Sequence, residues 1–182
     1  MFNLRMFDAV TYTAEQGKQV IILLRVLSDA TAEAAALVPF GTSDSENISA
    51  DTDQTVTKDG VISTAGAASV ELSKEGLLYH HTDDPDGITI LDKLKTAMKN
   101  RSLVEAWVVD LARPAATAGK YRGTYYQGYL TSFESEAAAE DLATVSMDYT
   151  ANGTGADGDC TVSAATIEIA SYVFRDTTQQ TN

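Results

Sequence analysis

Between Ala143 and Tyr149 every second residue is apolar: Ala143, Val145, Met147 and Tyr149 form one set, Thr144, Ser146 and Asp148 the other. A period of two places the sets on opposite faces of an extended chain, so 142–150 is predicted as a strand with one face in a core and one in water. The alternation recurs at Ala68, Val70 and Leu72 against Ser69, Glu71 and Ser73. QVIILLRVL at 19–27 is apolar on both faces and follows Gly17, which predicts a strand covered on both sides. Further strands are predicted at 103–111, which holds the single Trp107, and at 121–133, where Tyr125, Tyr129 and Phe133 share a parity. Strand material at 161–174 completes the set. In 55–63 (TVTKDGVIS), Asp59-Gly60 between two β-prone arms marks a two-residue hairpin, because glycine accepts the positive φ of a primed turn. The whole reads as mainly β, an antiparallel β-sandwich or barrel.

One flanking α-helix is expected. Ile90, Leu91, Leu94, Ala97 and Met98 recur at helical spacing after the breaker at 83–87. Thr89 with Asp92 fits a capping box, Lys95, Lys99 and Arg101 suit the negative end of the helix dipole, and Asn100 is a plausible stop. Residues 41–54 (GTSDSENISADTDQ) are polar, acidic and poor in large apolar groups, and are read as a long polar loop. Residues 153–158 read as a glycine-rich turn. One β domain over 1–175 and a flexible tail at 176–182 account for the chain, and MFNLRMFDAV at its start fits either an interface strand or an arm.

Function classes narrow by exclusion. Asp and Glu outnumber Lys and Arg by 26 to 13, for a formal net charge of −13. Such a surface disfavours phosphate binding and anionic membranes. A single Cys160 permits no intrachain disulfide, and its neighbours Asp157 and Asp159 disfavour a reactive thiolate. The most apolar run, 20–24, is far too short to span a bilayer, and no secretion signal is read at the start. His80 and His81 are adjacent, so on an extended chain their rings point apart and do not suit a shared metal ion. An EF-hand aligned on Gly87 would need an acid at Thr82 and Glu at Lys93. Gly119-Lys120 lacks the remainder of a P-loop. The glycine-rich calcium repeat near Asn152 occurs once, where a β-helix needs tandem copies. No cofactor, metal site or catalytic residue is expected.

Residues 55–161 resemble the major tail protein of long-tailed bacteriophages, especially those of lactic-acid and other Gram-positive bacteria. The likeness lies in TVTKDGVIS (55–63), ASVELSKEGL (68–77), DGITILDKLKTAMKNRSLVEAWVVDL (86–111) and YRGTYYQGYLTSFESEAAAEDLATVSMDYTANGTG (121–155). It implies a structural subunit, not an enzyme, that assembles into six-fold rings stacked as the hollow tail tube through which the genome leaves. Its location would be the virion tail, after synthesis in the bacterial cytoplasm. Partners implied are further copies of itself and the tape-measure, tail-tip and tail-terminator proteins, with DNA passing without specific binding and no membrane involved.

Under that resemblance, Glu134, Glu136 and Asp148, on polar faces of the late strands, are candidate lumen-facing acids. The 41–54 segment, with Thr42, Asp44, Glu46, Asp51 and Asp53, is the candidate contact to the adjacent ring. Two other readings share the architecture. One is the tube protein of a type VI secretion or contractile injection system. The other is a monomeric capsid-decoration or carbohydrate-binding β-sandwich, with Tyr121, Tyr125, Tyr126 and Tyr129 as the sugar platform.

Overall fold

A computed structural model describes residue 14, residues 16–82, residue 84 and residues 87–170, the side chains only as far as 167. The first ten residues, the expected tail at 176–182 and the proposed domain end at 175 lie outside the described residues. In chain order the elements are β1 (Val20–Val26), β2 (Ala36–Leu37), β3 (Gly41–Thr57), β4 (Gly60–Leu77), α1 (Ile90–Asn100), β5 (Val104–Pro114), β6 (Lys120–Glu136), β7 (Thr144–Ala151), β8 (Ala156–Thr161) and α2 (Ala164–Ala170). All strand pairings are antiparallel, in the order β2-β1-β5-β6-β7-β4-β3, with β8 also on β6.

The sheet folds on itself. Ile22, Leu24 and Val26 of β1 and Val104 and Ala106 of β5 share one core with Val70 and Leu72 of β4 and Val145, Met147 and Tyr149 of β7. Leu91, Leu94 and Ala97 of α1 belong to the same core. The predicted alternation at 68–73 and 143–149 therefore faces as expected. β1 is apolar on both faces from Val20 to Leu24 because its second face, Ile21 and Leu23, packs in another cluster with Val109 and Val162, flanked by Ile167 of α2.

The capping box of α1 is present. The Thr89 hydroxyl oxygen accepts the Asp92 N–H at 3.2 Å, and the Asp92 carboxylate accepts the Thr89 N–H at 2.9 Å. Those bonds hold the Asp92 carboxyl below its ordinary range. The last residue of the helix is Asn100, and Arg101, whose φ of 53° is left-handed, caps it.

β6 serves both halves of the fold. Its residues 121–128 pair with β5 and 120–125 with β8, whereas 128–136 pair with β7. Gly128 sits at the junction, opposite Val104 on one side and Ala151 on the other. A Cβ there would lie 2.0 Å from the Thr150 carbonyl oxygen and 2.8 Å from the Ala151 Cα, so the strands close only over glycine. Gly128→Ala is expected to lower the unfolding free energy by about 2–3 kcal/mol, in the range of overpacked sites. Urea denaturation checks this, and an unmoved midpoint contradicts it.

Four expectations require correction. Residues 41–54 are not a loop but most of β3, paired with β4 from Gly41↔Gly76 to Thr57↔Gly60. The ladder is made by backbone groups, so serines and acids on both faces do not prevent it. In the turn, Lys58 and Asp59 are the loop residues, while Gly60, at φ 147°, already pairs as strand. The expected strand at 161–174 ends at Thr161, and 164–170 is a second helix, α2, whose small and apolar residues suit either state. The glycine-rich turn is shorter than expected, because β8 begins at Ala156.

Candidate assembly surfaces

One face of the β6-β7-β4-β3 portion is predominantly polar, with Leu77 of β4, opposite Thr144, and Tyr129 of β6, opposite Thr150, as its apolar and aromatic members. Across the register it carries Ser132, Glu134 and Glu136 of β6, Thr144, Ser146, Asp148 and Thr150 of β7, Ser69, Glu71, Ser73 and Glu75 of β4, and Ser43, Ser45, Asn47 and Ser49 of β3. Directly opposed residues share a face, so the pairs Glu134↔Ser146, Glu136↔Thr144 and Asp148↔Ser132 bring the three predicted acids together. Glu71 and Glu75 join them, and all five are exposed. Ser73 donates to Asp148 at 2.7 Å. These positions hold no basic side chain.

The four strands are bounded by two unsatisfied edges. β3 has β4 on one side and no strand on the other among the described residues. β5 leaves β6 at Gly128, so among the described residues 129–136 of β6 has only β7 as a paired strand. Such edges present N–H and C=O groups ready to pair with another chain.

Of the predicted contact residues, Asp44 and Glu46 turn inward. Asp44 spans the seam where β3 approaches β1: Lys74 Nζ donates to its Oδ1 at 2.6 Å, and the Ile22 N–H donates to its Oδ2 at 3.1 Å. Glu46 accepts from the Tyr126 hydroxyl at 2.6 Å. Thr42 is skipped at an irregularity between Gly41 and Ser43, Asp51 at a bulge between Ala50 and Thr52, and Asp53 pairs with Thr64. All three are exposed. β7 accompanies β4 only over 71–77, so the hairpin beyond, 49–57 with 60–69, is a two-stranded arm standing clear of the body. Val56 (79 % exposed), Val61 and Ile62 lie near its tip.

The sequence does not single out Lys74, and it offers Tyr126 only as a member of a sugar platform, not as the partner of Glu46. Lys74 had a signal: it continues the inward parity of Val70 and Leu72, where a lysine needs a buried partner. Tyr126 had less. A shift in register between Leu130 and Ser132 lets Phe133 reach the core although Tyr125 and Tyr129 lie on the opposite parity from Tyr126 and Leu130. The four tyrosines of the sugar-platform reading are thereby split, with Tyr126 buried and Tyr129 exposed.

The titratable groups serve packing. Burial, with Glu46 and Glu105 beside them, pushes the Tyr126 and Tyr149 hydroxyls above the usual tyrosine range. Burial raises Cys160, and Asp159 adds to it. His80 and His81 are exposed, and among the described residues no group of three or more His, Cys, Asp or Glu side chains is placed to hold a metal ion. None of the described helices is long and apolar enough to cross a membrane.

The barrel-like body with its projecting hairpin is a fold found in several solved structures. The SPP1 tail tube shares it at a TM-score of 0.68 and 18% identity, over 92% of this chain and 94% of that one. The tail of a gene transfer agent particle, refined with C6 symmetry, follows at a TM-score of 0.57 and 13% identity, over 79% and 98%. A sheath/tube terminator of an extracellular contractile injection system gives a TM-score of 0.51 at 16% identity, over 82% and 99%. In sequence, a protein assigned to the tail of Staphylococcus phage phiMR25 is 30% identical over 135 residues, 71% of this chain and 67% of that protein. The phage tail tube protein family matches residues 14–156, and the chain belongs to it.

Proposed function

We propose that this tail tube protein forms six-fold rings by joining the open edge of β3 to the open edge of β6 in the next copy, and that the rings stack into the conduit for genome ejection. The observation that carries the reading is the pair of edges bounding an uncovered acidic face. The four strands alternate in direction, so β3 meets the neighbour's β6 antiparallel and the contact repeats without reversal, as a closed ring requires. Six copies give about 24 strands, and at about 4.8 Å per strand the backbone circle is about 37 Å across before strand tilt widens it. A double helix fits inside such a wall.

The wall presents Glu134, Glu136 and Asp148, with Glu71 and Glu75, to the lumen. Carboxylates repel the phosphates and deny them the cationic contacts on which DNA binding depends, so the genome slides without adhering. The hairpin arm makes the contact between rings, with Asp51 and Asp53 on it, while Thr42, Asp44 and Glu46 lie on the part of β3 that belongs to the body. The role is structural and non-catalytic. Tape-measure, tail-tip and terminator proteins meet the rings at the axis and the two ends, after synthesis in the bacterial cytoplasm. The fold likeness to a contractile-system terminator supports a second reading, the tube of a contractile machine, which a neighbouring sheath gene would favour.

Negative-stain electron microscopy of the concentrated protein, with mass measured in parallel, tests the proposal. Rings or hollow tubes of uniform width are expected. A strict monomer at every concentration, even on isolated tail tips, refutes it. Deleting 50–67 is expected to leave a folded subunit that forms no tubes, and tubes of normal length from that deletion would rule out the arm's role.

A further inference from the structure

We infer that the arm tip of one ring docks on an apolar patch at the opposite end of a subunit in the adjacent ring, formed by Phe40, Leu78 and Leu142. The inference rests on the ring-stacking reading and names the surface that receives the arm.

The three side chains are exposed and their segments lie side by side. Phe40 lies at the start of β3 and is 63 % exposed, Leu78 follows β4, and Leu142, 74 % exposed, precedes β7. Backbone bonds bring the three segments together: the Leu77 N–H donates to the Phe40 carbonyl at 3.1 Å, and the Leu78 N–H to the Ala143 carbonyl at 2.8 Å. Phe40 has a φ of 56°. Its ring stands 6.3 Å from that of Tyr79, and at 63 % exposure its outer face is free to meet another subunit.

The tip lies at the far end of the same strands. β4 runs 18 residues from Gly60 to Leu77, a span of about 56 Å at about 3.3 Å per residue. Tip and patch are therefore different surfaces at opposite ends of the subunit, the arrangement that propagates head to tail along an axis. An isolated two-stranded ribbon is marginal in water and gains from a surface to lie on.

Area decides what occupies the patch. An arm about 30 Å long and about 10 Å wide presents about 300 Å² per face. That is well below the roughly 800 Å² per partner of a stable complex. One arm on one patch does not hold two free subunits together. Six arms engaging at once between rings exceed the threshold, so the occupant is the arm of another copy already in a ring. The same arithmetic keeps free subunits from pairing through this contact.

The test uses the full chain with Cys160→Ser and two added cysteines, Ile62→Cys with Leu142→Cys, or Ile62→Cys with Leu78→Cys, oxidised after assembly. A disulfide ladder running beyond six subunits is expected from at least one pair, with no ladder from the single-cysteine controls or from dilute subunits. Tubes without a ladder from either pair overturn the inference, as does a ladder that stops at six, which would place the arm on a neighbour in its own ring. Ile62→Asp, on an exposed side chain, is expected to form rings but no tubes, and normal tubes from it also overturn the inference. If the unaltered protein forms no ring under any condition, the ring reading itself fails, a result distinct from these.

Discussion

Asp44→Ala is expected to lower the unfolding free energy of the subunit by about 3–5 kcal/mol, the range found when one partner of a buried ion pair is removed. Lys74 is 4 % exposed and its ammonium meets Asp44 at 2.6 Å, so without the carboxylate it is a charge stranded in the core. The Ile22 N–H loses its acceptor as well. Asp44 keeps 16 % exposure, which places the expected loss in the lower half of the range. Lys74→Met is expected to cost less, because the Asp44 that remains is nearer water and still accepts from Ile22. The double variant Asp44→Asn, Lys74→Met is expected to recover much of the loss. Urea unfolding of the four proteins checks the set, and equal losses from both single variants would contradict the buried-charge account.

The second large effect is a collapse of stability in alkali. Tyr126 and Tyr149 are 2 % and 3 % exposed, and burial holds both hydroxyls protonated beyond the tyrosine range of the unfolded chain. Tyr79, raised to about 12, and Tyr125 shift the same way. Above about pH 10 the unfolded chain releases these protons and the folded chain keeps them. Stability is therefore unaffected by these groups below about pH 10 and falls as pH rises above it. Each buried tyrosine contributes about 1.4 kcal/mol per pH unit, so the two deepest give about 2.7 kcal/mol per unit and about 5 kcal/mol by pH 12. Denaturant midpoints between pH 9 and 12, followed with tyrosinate absorbance, measure this. Tyr149→Phe is expected to flatten the slope by about a third, because Tyr126 and Tyr79 still contribute, and an unchanged slope would assign the loss to other groups.

The parts of the fold that were legible in sequence are those whose side chains meet a core. β7, the inner half of β4 and β1 show their burial as a pattern, and Thr89 with Asp92 marks the start of α1 by the bond it makes. β3 was read as a loop because its partner, not its composition, makes it a strand. Serines, threonines and acids on both faces leave no period to detect, and the ladder is visible only once β4 is laid beside it. The face of β6 was obscured by a register shift of its own backbone. The three lumen candidates could be gathered on one face by parity, but Glu71 and Glu75 join them only through pairings between strands distant in sequence. Asp44 and Glu46 looked like loop carboxylates, since nothing local shows that Lys74 and Tyr126 reach them.

β6 also has a mechanical meaning. One unbroken strand is a member of the acidic wall over its second half and of the β5–β8 side over its first, with Gly128 as the crossing. In the proposed tube, a load on the acidic face would pass along that strand into the rest of the body. Antiparallel strands pulled along their length resist in shear, with many hydrogen bonds sharing the load at once. The subunit thus behaves as a braced frame, and the stiffness of the conduit is set inside each copy as well as at the contacts between them.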